Sequence, residues 1–75
     1  MVHRHRALTA FGSNLRRERE RRKLTQEKLA EKADLDPSYI SGIERGVRNP
    51  SILSVVRIAN ALSTTVSDLS RGIES

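Results

Sequence analysis

Leu8, Phe11 and Leu15 are spaced three and four residues apart, the repeat that lines side chains up along one side of a helix. The stripe runs on through positions 19 and 22 and predicts a first helix over about 8–22, with Arg19 on its apolar side. A second stripe, Leu29, Ala30 and Ala33, follows Thr25, whose hydroxyl suits an N-cap, and predicts a short second helix ending near Ala33. Asp34 tolerates the left-handed backbone of a turn, and Leu35 is expected to plug the space between helices. Asp36-Pro37 then opens a third helix, because N1 is the helical position where proline's missing N–H and fixed φ cause no loss. That helix runs to about Arg45 with Ile40, Ile43 and Glu44 on one face, and Gly46 stands where a left-handed C′ residue belongs. Pro50-Ser51 opens a fourth helix whose ILSVVRIANAL is apolar nearly all round, so it is expected to be the buried centre. Thr65 with Asp68 three residues later reads as a capping box for a short fifth helix carrying Val66, Leu69 and Ile73. Nothing reads as strand. The expected fold is all-α, a compact bundle of five short helices, with a flexible basic N-terminal arm over 1–7, the helical domain over 8–70 and a C-terminal tail over 71–75.

A chain of 75 residues makes one domain, and at this size folding removes only about 60% of the surface that the unfolded chain exposes. Charge adds more than size does. The formal net charge is +5, and residues 1–32 carry ten Lys/Arg against four Asp/Glu, while residues 33–75 carry four against five. Such a lopsided distribution implies one positive surface, for which a polyanion is the usual partner. No cysteine is present to build a disulfide or a thiolate metal site. No run of 18 apolar residues occurs and the N-terminus lacks the apolar stretch of a secretory signal, so a cytoplasmic protein without a membrane partner is expected. His3 and His5 alone make a poor metal site, and no clustered carboxylates, glycine-rich phosphate loop or nucleophile–base spacing appears. Neither an enzyme nor a cofactor is expected.

The second and third helices are joined by a three- to four-residue turn, the arrangement of a helix-turn-helix, in which the third helix enters the major groove of DNA. A generic helical hairpin shows the same spacing, so this geometry alone leaves both readings open.

LTQEKLAEKADLDPSYISGIERGVRNPSILSVVRIANAL resembles the lambda-repressor-like, or XRE, helix-turn-helix family, the match covering about residues 11–70. Its most specific parts are Thr25-Gln26-Glu27, Ile43-Glu44-Arg45-Gly46 and Asn49-Pro50-Ser51. YISGIERGVRN is similar in particular to the controller proteins of restriction–modification systems, small dimeric regulators within that family. The resemblance implies a sequence-specific transcriptional regulator that binds double-stranded DNA as a homodimer on a palindromic operator and blocks or recruits RNA polymerase. It implies that Gln26 contacts phosphate or base, that positions 37, 38 and 42 face base edges, and that Arg45 and Arg48 meet the backbone. Two residues depart from the pattern. Pro37 stands where relatives often place a long polar reader, and Gly42 where some place another, so readout shifts to Asp36, Ser38, Tyr39, Ser41 and Arg48, or to DNA shape. Gly42 then offers a bare patch for close approach of the third helix to DNA. Arg16 and Arg17 are the candidates for phosphate contact within RRERERRK, and the arm's His3, Arg4, His5 and Arg6 for the minor groove. Each of these residues has an ordinary alternative as a solvated or packing group.

Arg19 and Glu44 both fall on apolar stripes, where a lone charge is expensive, so each is expected to find the other as a partly buried ion pair. Val66, Leu69 and Ile73 are the expected dimer contacts, with closure of the monomer core as the alternative for Leu69. Two other functions remain open: an autoregulator of a restriction–modification or toxin–antitoxin pair, and, from another class, a protein-binding module using the surface of the third helix.

Overall fold

The computed structural model describes residues 5–73. Five helices follow one another: α1 (Arg6–Arg21), α2 (Gln26–Ala33), α3 (Pro37–Glu44), α4 (Ile52–Ala61) and α5 (Val66–Leu69). No strand occurs among the described residues. Principal packing runs α1 on α3, α3 on α2, α2 on α4, α4 on α5 and α5 back on α1, which closes the helices into a ring. Inside it lie Leu15, Leu29, Ile40, Ile43, Ile58, Leu62 and Leu69, each almost wholly removed from solvent, so that every helix or its cap residue supplies at least one core aliphatic.

Helices of ten residues or fewer, such as α2 to α5, are marginal alone, and their ends are therefore closed by side chains as well as by packing. Thr25, Asp36, Ser51 and Thr65 accept N–H groups of the first turns of α2, α3, α4 and α5. Pro37 sits at N1 of α3, where it removes no hydrogen bond. Lys23, Asp34 and Ser63 adopt left-handed backbone with φ of 57°, 57° and 54°, reversing the chain after α1, α2 and α4. Gly46 does the same after α3 at φ 76°, and the amides of Gly46 and Val47 bond back to the carbonyls of Ile43 and Gly42 in a Schellman turn.

Two elements differ from their sequence expectation. The first helix starts at Arg6 rather than Leu8, because the Nδ1 of His5 accepts the Ala7 N–H at 3.0 Å and caps it, which draws Arg6 and Ala7 out of the expected arm. His3 and Arg4 lie outside the described residues. The fourth helix is not a buried centre. Val55, Ile58 and Ala59 face the core, whereas Ile52 and Leu53 are 77% and 60% exposed and Val56 is exposed too. The ring explains this, since α4 meets chiefly α2 and α5 and keeps an outer flank exposed among the described residues.

Gly12 sets the closeness of α1 to α3. A Cβ there would collide with the carbonyl oxygen of Ile43 and come within 2.6 Å of that of Glu44. Glycine in a helix interior costs about 1 kcal/mol relative to alanine, and here it allows two backbones to touch.

Candidate nucleic-acid interface

The N-terminal end of α3 is its most exposed part, with Asp36, Pro37 and Ser38 all open to solvent. Asp36 organises it: its Oδ1 accepts the Ser38 N–H at 2.8 Å and the Ser38 hydroxyl at 2.6 Å. The Ser38 hydrogen bonds hold the Asp36 carboxyl below its ordinary value, so an anion stands at the helix start over the working pH range. Tyr39 is half-buried against the core, and its hydroxyl oxygen accepts the Ser51 N–H at 3.3 Å, which ties the cap of α4 to the first turn of α3. Ser41 is half-buried, and Arg45 and Arg48 are exposed at the end of α3 and in the following loop. The Arg48 guanidinium lies over the Tyr39 ring, 5.8 Å from its centroid.

Gly42 does not present a bare patch. It is buried, and the side chain covering it is that of Arg48, whose Cβ and Cδ would stand 3.4 and 3.6 Å from a Cβ at position 42, with Cγ nearer still.

Behind α3 sits a polar clamp. Arg19 donates from Nε to Glu44 Oε2 at 2.6 Å and from Nη2 to Oε1 at 3.0 Å, a two-pronged pairing that leaves the side chains only 12% and 3% exposed. Its Nη1 donates to the Leu24 carbonyl at 2.7 Å, and Gln26 Nε2 adds a third hydrogen bond to Glu44 Oε1 at 3.0 Å. Hydrogen bonding to Glu44 raises the Arg19 pKa above its ordinary value, so the cation is permanent. The expected pair is therefore present, and it joins α1, the start of α2 and the end of α3 at one carboxylate.

Gln26 has a role the sequence reading did not assign. One amide N–H is committed to Glu44, which fixes the side chain at the start of α2 and leaves its remaining groups for a ligand. Arg16 and Arg17 are not brought to α3. Arg16 bonds Glu20 at 3.1 Å on the outer side of α1, and Arg17 bonds Asn14 at 3.2 Å and lines a cleft with Arg21, Thr65, Asp68 and Arg71 against α5. Of the expected dimer contacts, Val66 is exposed, Ile73 packs partly against the core, and Leu69 is fully enclosed within the monomer, where no second chain reaches it. The open apolar side chains are instead Ile52, Leu53 and Val56, at i, i+1 and i+4 of α4, together with Val66.

Asn14 also went unassigned. Buried in α1, it donates from Nδ2 to the carbonyls of Leu69 at 2.8 Å and Arg71 at 2.9 Å, closing the end of α5. Asparagine is a poor helix former, and its place beside Leu15 was the available signal, as mid-helix glycine was for Gly12.

A short capped helix with an exposed N-terminal end, joined by a tight turn to the helix before it and braced by a buried ion pair, has the form of a DNA-binding helix-turn-helix domain. The helix-turn-helix family model matches residues 15–69. The chain belongs to the XRE-type helix-turn-helix family, whose members are DNA-binding transcriptional regulators. It is 42% identical over 65 residues to the control protein C.MunI of a Mycoplasma species, a match covering 85% of this chain and 88% of that one. It is 46% identical over 56 residues to the immunity repressor protein of Bacillus phage phi105, covering 75% of this chain but 39% of the repressor. Among solved structures, that of the restriction–modification controller protein C.AhdI from Aeromonas hydrophila superposes with a TM-score of 0.82 at 42% identity, covering 83% of this chain and 94% of C.AhdI.

Proposed function

We propose that the chain acts as a homodimer on a palindromic operator, each copy placing the N-terminal end of α3 in the major groove. The observation that carries this reading is the exposed, pre-capped start of α3 held rigidly by the Arg19–Glu44–Gln26 clamp. Asp36, Ser38, Tyr39 and Ser41 are the side chains available for base edges, Arg45 and Gln26 for phosphates, and Arg48 for either. A half-buried Ser41 is the least accessible of the group. Pro37 contributes shape rather than hydrogen bonds. Arg16 and Arg17, engaged with Glu20 and Asn14 on α1, are not among the proposed contacts.

Dimerisation through the α4 flank of Ile52, Leu53 and Val56 accompanies this reading, because one short recognition helix buries little surface on DNA and two half-sites restore both affinity and specificity. The particular assignment is a controller that regulates its own operon beside a restriction–modification gene pair. Support lies in coverage: control proteins are matched over most of their length, whereas the phage repressor is matched only in part. Regulation by blocking or recruiting RNA polymerase follows from where the operator lies.

Selection of bound sites from random duplex DNA tests the proposal. A palindrome with half-sites about 34 Å apart, or a multiple of that, is the expected result, and no enrichment would favour a protein-binding module instead. With about six phosphate contacts, affinity should fall on the order of a thousandfold between 50 and 200 mM salt.

A further inference from the structure

Gly42 and Arg48 are linked twice. The Gly42 carbonyl accepts the amides of Val47 at 3.0 Å and Arg48 at 3.2 Å, so the loop backbone hangs from this residue. The missing Cβ then leaves a hollow on α3 that the aliphatic stem of Arg48 fills, and the guanidinium reaches on over Tyr39 and near enough to Asp36 to help lower its pKa. These two links separate cleanly on substitution. Alanine keeps the carbonyl and both of its hydrogen bonds, and it fills the hollow, so the Arg48 side chain must leave while the loop stays.

We propose that Gly42 is a positioning residue for DNA readout: it seats the Arg48 side chain across α3 before DNA arrives, so that the guanidinium is presented at a fixed place over the Tyr39 ring. Arginine is rich in rotamers, and a side chain ordered in advance loses less freedom on binding than one that must be captured. The glycine thus acts through Arg48 and touches no DNA itself. This rests on the DNA-binding reading above, with Arg48 at the groove.

The test is a double-mutant cycle on the operator duplex obtained by selection, using Gly42→Ala, Arg48→Ala and the combination, with a thermal melt of each protein. Gly42→Ala gains helix propensity and loses the packing of the Arg48 stem, two opposed effects of about 1 kcal/mol, so it is expected to melt within a few degrees of the wild type. It is expected to weaken operator binding by roughly three- to tenfold in the presence of Arg48 and to have no effect in the Arg48→Ala background. Equal losses in both backgrounds, or no loss in either, would overturn the proposal. A second readout needs no DNA: the heteronuclear relaxation of the Arg48 Nε–H in the free protein should report an ordered group that becomes as mobile as the Nε–H of exposed Arg57 in Gly42→Ala. An unchanged Arg48 signal would refute the seat even if no duplex were ever enriched, whereas absence of enrichment with a loosened Arg48 would overturn the DNA-reading role and leave only the seat.

Discussion

Arg19 is the residue on which three helices depend. Glu44, with its side chain 3% exposed, has no other cation within bonding distance among the described residues, and breaking a buried pair from one side is more damaging than never having built it. Arg19→Ala should therefore destabilise by about 3–5 kcal/mol, a large share of what a domain of this size possesses. Thermal unfolding followed by circular dichroism would show it, with Arg57→Ala as the surface comparison; equal losses for the two would remove the clamp from the account of stability. Glu18 offers a milder case. Hydrogen bonding to Arg22 at 2.7 Å holds its carboxyl below the ordinary 4.5, so its contribution is complete above that value and disappears as pH falls through the lower, folded-state pKa. Glu18→Gln is expected to flatten the acid limb of a stability–pH curve only partly, because Asp36 and Asp68 are depressed in the same direction and add their own losses as pH falls below their ordinary 3.8.

At the scale of elements, the ends matter more than the middles. α4 ends in a Schellman turn in which Ser63 takes φ 54° and the Thr64 amide bonds the Ala59 carbonyl at 2.9 Å, a conformation that glycine adopts without a Cβ penalty. Ser63→Gly should raise stability by about 1 kcal/mol, read as a higher urea midpoint at unchanged slope. A lower midpoint would mean that the added unfolded-state freedom outweighs the relief of strain. The same logic explains why α5, a single turn, survives at all. Thr65 closes its start, while Asn14, reaching across from α1, binds the carbonyls of Leu69 and Arg71 at its end.

For the whole molecule the notable asymmetry is apolar. Ile52 and Leu53 are largely in water on a protein whose other large aliphatics are mostly enclosed, and a second copy covering that flank would remove the cost. For the proposed dimer, Leu53→Asp should leave the monomer fold intact, since the side chain is already 60% exposed, while shifting sedimentation to the monomer and weakening binding to a palindrome more than to a half-site. A variant that stays dimeric would place the interface elsewhere, with Val66 the next side chain to change.

What the sequence determined by itself was local. Helix starts at Thr25, Asp36, Ser51 and Thr65 were legible because a cap is decided by a side chain and an amide two or three residues away, and Pro37 and Gly46 are explained by backbone angles alone. The Arg19–Glu44 pair was legible for a different reason: two opposite charges on apolar stripes have few other ways to be buried. Periodicity names a helical face but not what covers it, and only the closed ring decided that Leu69 lies inside while Ile52 and Leu53 lie outside. The same holds for the site. That Gln26 braces Glu44, that Gly12 lets two backbones meet, and that Arg48 lies in the hollow of Gly42 are facts of distance between segments, set by how the helices pack rather than by the residues that form each one.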